Sequence, residues 1–185
     1  MEPYPTLHTE RLVLRAFTLD DAPALGQLAQ AREVARMMLP LPHPYEEGMA
    51  EEWITGLRPA FEAGTRAAFA VTLREGGTLV GTVSLFIDER DRTGLLGFWV
   101  GLPYWGKGYA TEAVAEVVRY GFEERGLLRV RANHFGSNPA SERVLRKVGM
   151  VHEGTRRGYY EKWGKTEDRI GYSLGVHDWR VTVGR

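Results

Sequence analysis

The residues Trp105-Gly106-Lys107-Gly108-Tyr109-Ala110 set two glycines around a lysine at the entry to a stretch of helical periodicity. Ala110, Ala113, Val114, Val117, Val118, Gly121 and Phe122 recur on one face of that stretch, with Glu112, Glu116, Arg119, Glu123 and Glu124 on the other. The chemistry open to such a segment is anion binding. The first helical turn leaves backbone N–H groups without internal partners and carries the positive end of the helix dipole. Glycine lets a phosphate approach the backbone closely. Each such interaction contributes about 0.3–1 kcal/mol when exposed and up to about 2 when partly buried, so several together can hold a pyrophosphate. An ordinary connection whose glycines serve only the turn would read the same way. Two better-known phosphate motifs fail on residues. Gly101 to Lys107 imitates a P-loop, but Gly108 stands where Ser or Thr would bind magnesium. The dinucleotide fingerprint needs Gly or Ala where Thr111 stands.

A second polar group is Asn138-Pro139-Ala140-Ser141. Asn is favoured as a helix cap and Pro at the first helical position, so Asn138 has a structural reason to be there. Ser141 falls on about the same helical face. The histidines number five, His8, His43, His134, His152 and His177, with no two at ligand spacing, and His152-Glu153 lacks the rest of a zinc-helix motif. No metal site is expected. His134 ends a strand and is a candidate base. Asp88, Glu89 and Glu161 sit at strand ends or before turns, where carboxylates are usually solvated. With no cysteine, a disulfide, a thiolate metal site and a cysteine acyl-enzyme are all excluded.

The elements that must position these residues follow from periodicity. Leu95 to Val100, bounded by Gly94 and Gly101, reads as a buried strand leading into the glycine loop and the helix. Upstream, Arg11 to Phe17 alternates as a first strand, and Thr18 to Asp21 caps a helix carrying Ala22, Leu25, Leu28 and Ala29. Pro40, Pro42 and Pro44 mark a loop. Tyr45 to Gly64 reads as a second helix, with Pro59 predicting a kink or break. Ala67 to Arg74 and Leu79 to Asp88 form a hairpin around Glu75-Gly76-Gly77. Downstream, Leu127 to Phe135 is a strand and Pro139 to Val148 a short helix. Met150 to Glu161 pairs with Glu167 to Leu174 around Trp163-Gly164-Lys165, and the tail from Val176 is expected on the surface. One mixed α/β domain over residues 1–185 accounts for this order.

Lys plus Arg equals Asp plus Glu at 24 each, which weighs against nucleic-acid or membrane-surface partners. Met1-Glu2-Pro3-Tyr4-Pro5 has neither the basic nor the apolar region of a leader, and no run reaches the roughly 20 apolar residues of a membrane span. A soluble cytoplasmic protein is expected.

The glycine segment resembles the phosphate-binding motif of the GNAT acetyltransferases, Gln/Arg-x-x-Gly-x-Gly/Ala, laid over Trp105 to Ala110. Trp105 departs from the Gln or Arg at the head of that motif. Pro103-x-Trp105-Gly106-x-Gly108-Tyr109-Ala110-Thr111-Glu112-Ala113 is similar to the ribosomal-protein N-acetyltransferase branch, where Trp is common at that position. Thr9-Glu10-Arg11-Leu12-x-Leu14-Arg15 looks like that branch's opening strand. Asn138-x-x-Ser141-x-x-x-Leu145-x-Lys147-x-Gly149-Met150-x-x-Glu153-Gly154 is similar to its second motif.

The resemblance implies a twisted, mostly antiparallel sheet flanked by helices and splayed after the Leu95–Val100 strand. It implies acetyl-CoA as co-substrate, its pantetheine along the backbone of Phe98, Trp99 and Val100 and its pyrophosphate on the loop from Trp105 through Gly106, Lys107, Gly108, Tyr109 and Ala110 to Thr111. Asn138 would face the coenzyme, and Ser141 would hydrogen-bond or protonate the departing thiolate. Some relatives carry a carboxylate base at the position of Tyr160. Here the neighbouring Glu161 is the carboxylate kept as candidate base, acting through water, although it should point to the other face of its strand. The expected acceptor is a primary amine, in this branch the α-amine of a protein or peptide N-terminus. A small-molecule amine acetyltransferase and a non-catalytic acyl-coenzyme A sensor are the alternatives. No metal, nucleic acid or membrane partner is expected, and a homodimer is allowed.

Overall fold

The computed structural model describes residues 3–183; Met1 and Glu2, which open the segment read above for a leader, lie outside the described residues. Alternating and apolar runs produce strands β1 (Leu7–His8), β2 (Leu12–Arg15), β3 (Arg66–Leu73), β4 (Leu79–Asp88), β5 (Thr93–Val100), β6 (Arg129–Phe135), β7 (Val151–Lys162) and β8 (Lys165–Gly175). They lie in one sheet of order β1-β2-β3-β4-β5-β6-β8-β7. Neighbours are antiparallel except β5 and β6, which run parallel and are joined by helix α5 (Tyr109–Glu123). Crossover through a helix is what a parallel pair requires.

Parity along β3 decides what each face of the sheet buries. Ala67, Phe69 and Val71 point to one side and pack with Val83, Leu85 and Leu96 against Ala113, Val114, Val117 and Val118 of α5. The even positions face the other way, where Ala70 and Trp99 meet α1 (Ala22–Ala29) and α3 (Met49–Thr55) through Leu25, Ala50 and Ile54. Three more helices complete this part of the chain: α2 (Arg32–Arg36), α4 (Leu57–Glu62) and α6 (Pro139–Lys147).

The structure refines these expectations at three places. The Tyr45–Gly64 helix is two helices, α3 and α4, meeting at Gly56, and it begins only at Met49 after the left-handed Gly48. The break predicted from Pro59 is present: Pro59 has no N–H for the carbonyl of Thr55, four residues back and the last residue of α3, while Gly56 between the helices keeps a right-handed helical φ of −73° and ψ of −14°. Within α4 itself Pro59 lies in the first turn, where a missing N–H costs no intrahelical bond. The tail from Val176 is helix α7 (Val176–Val183), and Trp179 sets its ring 5.3 Å from Phe122 in the core. Strand β1 was not foreseen, because two residues carry no readable alternation; it pairs Leu7 with Leu14 and His8 with Val13.

Candidate active site

β5 and β6 stay paired from Thr93–Arg129 to Leu96–Ala132 and then part, though β5 continues to Val100 and β6 to Phe135. The sheet therefore opens into a gap at the C-terminal end of β5. On its other edge β5 remains bonded to β4, with Gly101 N–H donating to the Val80 carbonyl at 2.8 Å. An antiparallel ladder alternates, so Trp99 shares its bonds with β4 while Phe98 and Val100 direct their N–H and C=O groups toward the gap. The Val100 carbonyl is met by the indole N–H of Trp105 at 2.6 Å. That contact folds the glycine loop back onto the end of β5. Trp99 contributes its side chain to the cavity below the gap.

Gly108 is the N-cap of α5 with φ of 83°, a left-handed conformation that disfavours any side chain. A Cβ there would also come within 3.3 Å of the Arg11 guanidinium, while the space over Gly106 is open. Arg11 braces this turn. Its Nη1 donates to the Lys107 carbonyl at 2.9 Å and its Nε to Glu112 at 2.7 Å, and its ring-face contact with Tyr109 is 5.0 Å. Glu112 also accepts from the Arg11 backbone N–H at 2.8 Å and from the Thr9 hydroxyl at 2.6 Å. Burial pushes the Glu112 carboxyl up, but the bonds from Thr9 and Arg11 outweigh it and hold it below the usual carboxylate range. The Thr-Glu-Arg stretch read as a strand opening is thus also a tie between β2 and the glycine turn that opens α5. The sequence signal that could have found it was Glu112, an acidic residue in a first helical turn. Lys107 points out, its ammonium 5.5 Å from the Tyr104 ring. Ala110 and Thr111 continue the first turn.

Across the gap stands the start of α6. Asn138 caps it, its Oδ1 accepting from Ser141 N–H at 3.1 Å, and its Nδ2 donates to Ser141 Oγ at 2.9 Å. Asn138 is buried and both residues line the cavity. Because the Ser141 oxygen already accepts from the amide, the hydroxyl proton is free for another partner. His134 also lines the cavity. Its Nδ1 lies 2.8 Å from the Phe135 carbonyl, while Nε2 is buried without a partner and burial pushes the ring's pKa down.

Glu161 stands apart from this group. It pairs in register with Thr166 near the β7–β8 turn, is exposed, and does not line the cavity, whereas Tyr160 does and packs 5.5 Å from Phe135. The cavity measures about 770 Å³ and extends from the gap under α1, α3 and the Met37–Pro42 segment. That segment is held in place by Lys162, whose ammonium donates to the carbonyls of Met38, Leu39 and Leu41 at 2.9, 3.2 and 2.6 Å. Sequence reasoning missed this clamp, since a lysine beside a turn has no distinguishing local signal.

The donor set at the gap fits coenzyme A: strand N–H and C=O groups facing outward for an amide-bearing arm, and a left-handed glycine opening a 15-residue helix for a pyrophosphate. Residues 11–151 match the acetyltransferase (GNAT) domain family. The chain is 31% identical over 170 residues to an uncharacterized N-acetyltransferase, p20, of Bacillus licheniformis, covering 91% of this chain and 95% of that protein. It is 32% identical over 187 residues to the FsC-acetyl coenzyme A-N(2)-transacetylase of Aspergillus fumigatus, covering 95% of this chain and 78% of that one. The ribosomal-protein-S5-alanine acetyltransferase of Vibrio fischeri has the same fold, with a TM-score of 0.82 at 24% identity over 95% of this chain and 98% of the other. The chain belongs to the GNAT acetyltransferase family and is an acetyl-coenzyme A-dependent acetyltransferase.

Proposed function

We propose that this enzyme acetylates a primary amine by direct transfer, and that the amine is the α-amine of a protein or peptide N-terminus. When bound, acetyl-coenzyme A supplies an activated thioester whose acyl carbon the amine attacks. The outward backbone of Phe98 and Val100 would hold the pantetheine arm, and the N–H groups from Gly106 to Thr111 the pyrophosphate. Ser141, oriented by Asn138, keeps its hydroxyl proton available at the gap, where thiolate charge would develop. Acceleration would come from orientation and from donors aimed at that charge.

The observation that carries the choice of amine is the polar lining beside the gap. Asn133, Asn138, Ser141 and Tyr160 stand there, and the carboxylate beside Tyr160, Glu161, is turned away from the cavity. Among the described residues the carboxylate that does line the cavity is Glu52, carried by α3 rather than by the strands of the gap, and such a site suits an amine that deprotonates easily. An α-amine titrates near 7.7–8.0 and costs about 1 kcal/mol to neutralise at pH 7, whereas a lysine near 10.4 costs roughly 4.6. Water leading to a more distant carboxylate, Glu161 among them, or the unpartnered His134 Nε2, meets the smaller demand. The likeness to the ribosomal-protein-S5-alanine acetyltransferase supports the reading at the level of the fold.

The test offers two matched peptides, one with a free N-terminus and blocked lysines and the other reversed, and locates the acetyl group by mass spectrometry. Acetylation of the N-terminus is expected. Acetylation confined to lysine would falsify the reading, and acetylation of neither peptide while free amines such as polyamines are modified would assign the enzyme to small molecules.

A further inference from the structure

Away from the gap, the same cavity contains a cation, Arg66, that forms no ion pair among the described residues. Arg66 opens β3 and points to the cavity face beside Phe86 and Ser84 of β4. Its guanidinium lies 5.1 Å from the Trp53 ring and 4.6 Å from the Phe86 ring. Nη2 donates to Ser84 Oγ at 3.0 Å, while Nε is buried with no partner. Two residues along the same face of β4 from Ser84, the Thr82 hydroxyl is also buried and unpartnered. Glu52 lines the cavity too, but no carboxylate among the described residues comes within the 4.0 Å of an ion pair with Arg66.

A half-buried guanidinium without an anion is costly, and aromatic faces compensate only part of that cost. Arginine cannot shed its proton to escape the penalty. The groups next to the guanidinium can present donors to a ligand. Arg66 has N–H groups to spare, the Ser84 oxygen already accepts from Arg66 and so can turn its proton outward, and Thr82 can do the same. The Trp53 and Phe86 rings pack against the fork. A planar fork with hydroxyl donors beside it matches a carboxylate.

We propose that Arg66, with Ser84 and Thr82, is a specificity subsite for a carboxylate carried by the amine acceptor. The inference rests on the amine-transfer reading above and names the acceptor's second feature. Ser84 pairs in register with Gly97 of β5, so the subsite lies roughly one to two strand spacings, about 5–10 Å, from the gap. That separation suits a carboxylate several bonds from the amine, such as an acidic side chain following an N-terminal residue. The α-carboxylate of a free amino acid is the other source of the same chemistry.

The experiment compares the C-terminally amidated tetrapeptides Ser-Glu-Ala-Ala and Ser-Gln-Ala-Ala, and serine with serine amide. It uses the full chain and its Arg66→Met and Arg66→Lys variants. Both kcat/KM and calorimetric binding to the coenzyme A-saturated protein are measured, with unchanged melting and coenzyme affinity as the check on folding. The wild type is expected to favour the Glu peptide over the Gln peptide by about tenfold or more. Arg66→Met should collapse that ratio toward one, and Arg66→Lys should keep part of it. A preference seen only between serine and its amide would assign the carboxylate to a free amino acid. Equal use of both members of each pair, or a preference that survives Arg66→Met, overturns the subsite. Charge-dependent binding without acetylation of any α-amine would leave the subsite standing and remove the α-amine reading instead.

Discussion

At the scale of single residues, Asn138 and Ser141 show one side chain doing two jobs. The Asn138 carbonyl oxygen caps α6 and its amide nitrogen occupies the Ser141 oxygen, both within 3.1 Å. Capping alone is worth about 1 kcal/mol. The second bond matters for chemistry, because it decides which way the serine's proton can go. Removing the hydroxyl should leave the cap and the coenzyme cradle intact. Ser141→Ala is therefore expected to lower kcat about tenfold or more with coenzyme affinity little changed, since the lost donor acts where charge develops. Steady-state kinetics with calorimetry checks this, and an unchanged kcat would reduce Ser141 to a tolerated first-turn serine.

At the scale of elements, the turn into α5 is held from two sides. Trp105 ties its start to the Val100 carbonyl, and Arg11 ties its end through Lys107 and Glu112. Gly108 must sit between these anchors at a φ of 83°. A β-branched residue there faces backbone strain of about 1 kcal/mol or more and displaces the Arg11 guanidinium, which a Cβ already meets at 3.3 Å. Gly108→Val should weaken coenzyme A binding by about tenfold or more, whereas Lys107→Ala, which removes a side chain pointing to solvent, should change it far less. Calorimetric titration of both variants decides the matter; equal affinity in Gly108→Val would mean that the backbone of this turn does not hold the pyrophosphate.

At the scale of the whole molecule, polar ties join parts of the chain that are far apart in sequence. Tyr4 bonds Ala68 from both sides, its phenol pushed up to about 12 by burial; Glu112 gathers Thr9 and Arg11; Lys162 gathers the Met37–Pro42 segment. The Glu112 tie, together with the local ion pair of Arg15 and Asp21 at 2.7 Å, predicts how stability depends on pH. Burial raises the Asp21 and Glu112 carboxyls, but bonds from Arg15 and Thr18 in one case, and from Thr9 and Arg11 in the other, bring both below their ordinary values. A depressed carboxyl stabilises the fold above its unfolded pKa, about 4, and that contribution is lost as pH falls through the lower folded value. Melting temperature should therefore decline as pH drops below about 4, and Glu112→Gln should flatten the decline while lowering stability at neutral pH. Thermal melts across that range test it; a parallel acid slope in the variant would show that Glu112 carries none of the dependence.

The sequence by itself determined most of the local structure, because periodicity and turn chemistry are short-range. The Glu75-Gly76-Gly77 hairpin, the strand before the glycine loop, the helix after it and the Asn138 cap all stand where the residues placed them. The run of motifs also identified the family. Where the local signal was weak the reading was coarser: the Pro59 break was placed inside one helix rather than between two, the start at Met49 was missed, and the surface tail was not read as a helix. What only the tertiary structure decided is which residues share a space. The exit of β6 from β5 after Leu96 creates the gap, and nothing in either strand's composition states where their pairing ends. The opposite faces of Tyr160 and Glu161 follow from strand parity, but that the cavity takes Tyr160's face is a property of the assembled sheet. Arg66 carries the lesson furthest. In the sequence it is one basic residue among 24 at the start of an apolar strand, and no pattern marks it. What sets it apart is that it pairs with no carboxylate among the described residues, a relation that exists only once the chain has folded and set Trp53, Ser84 and Phe86 around it.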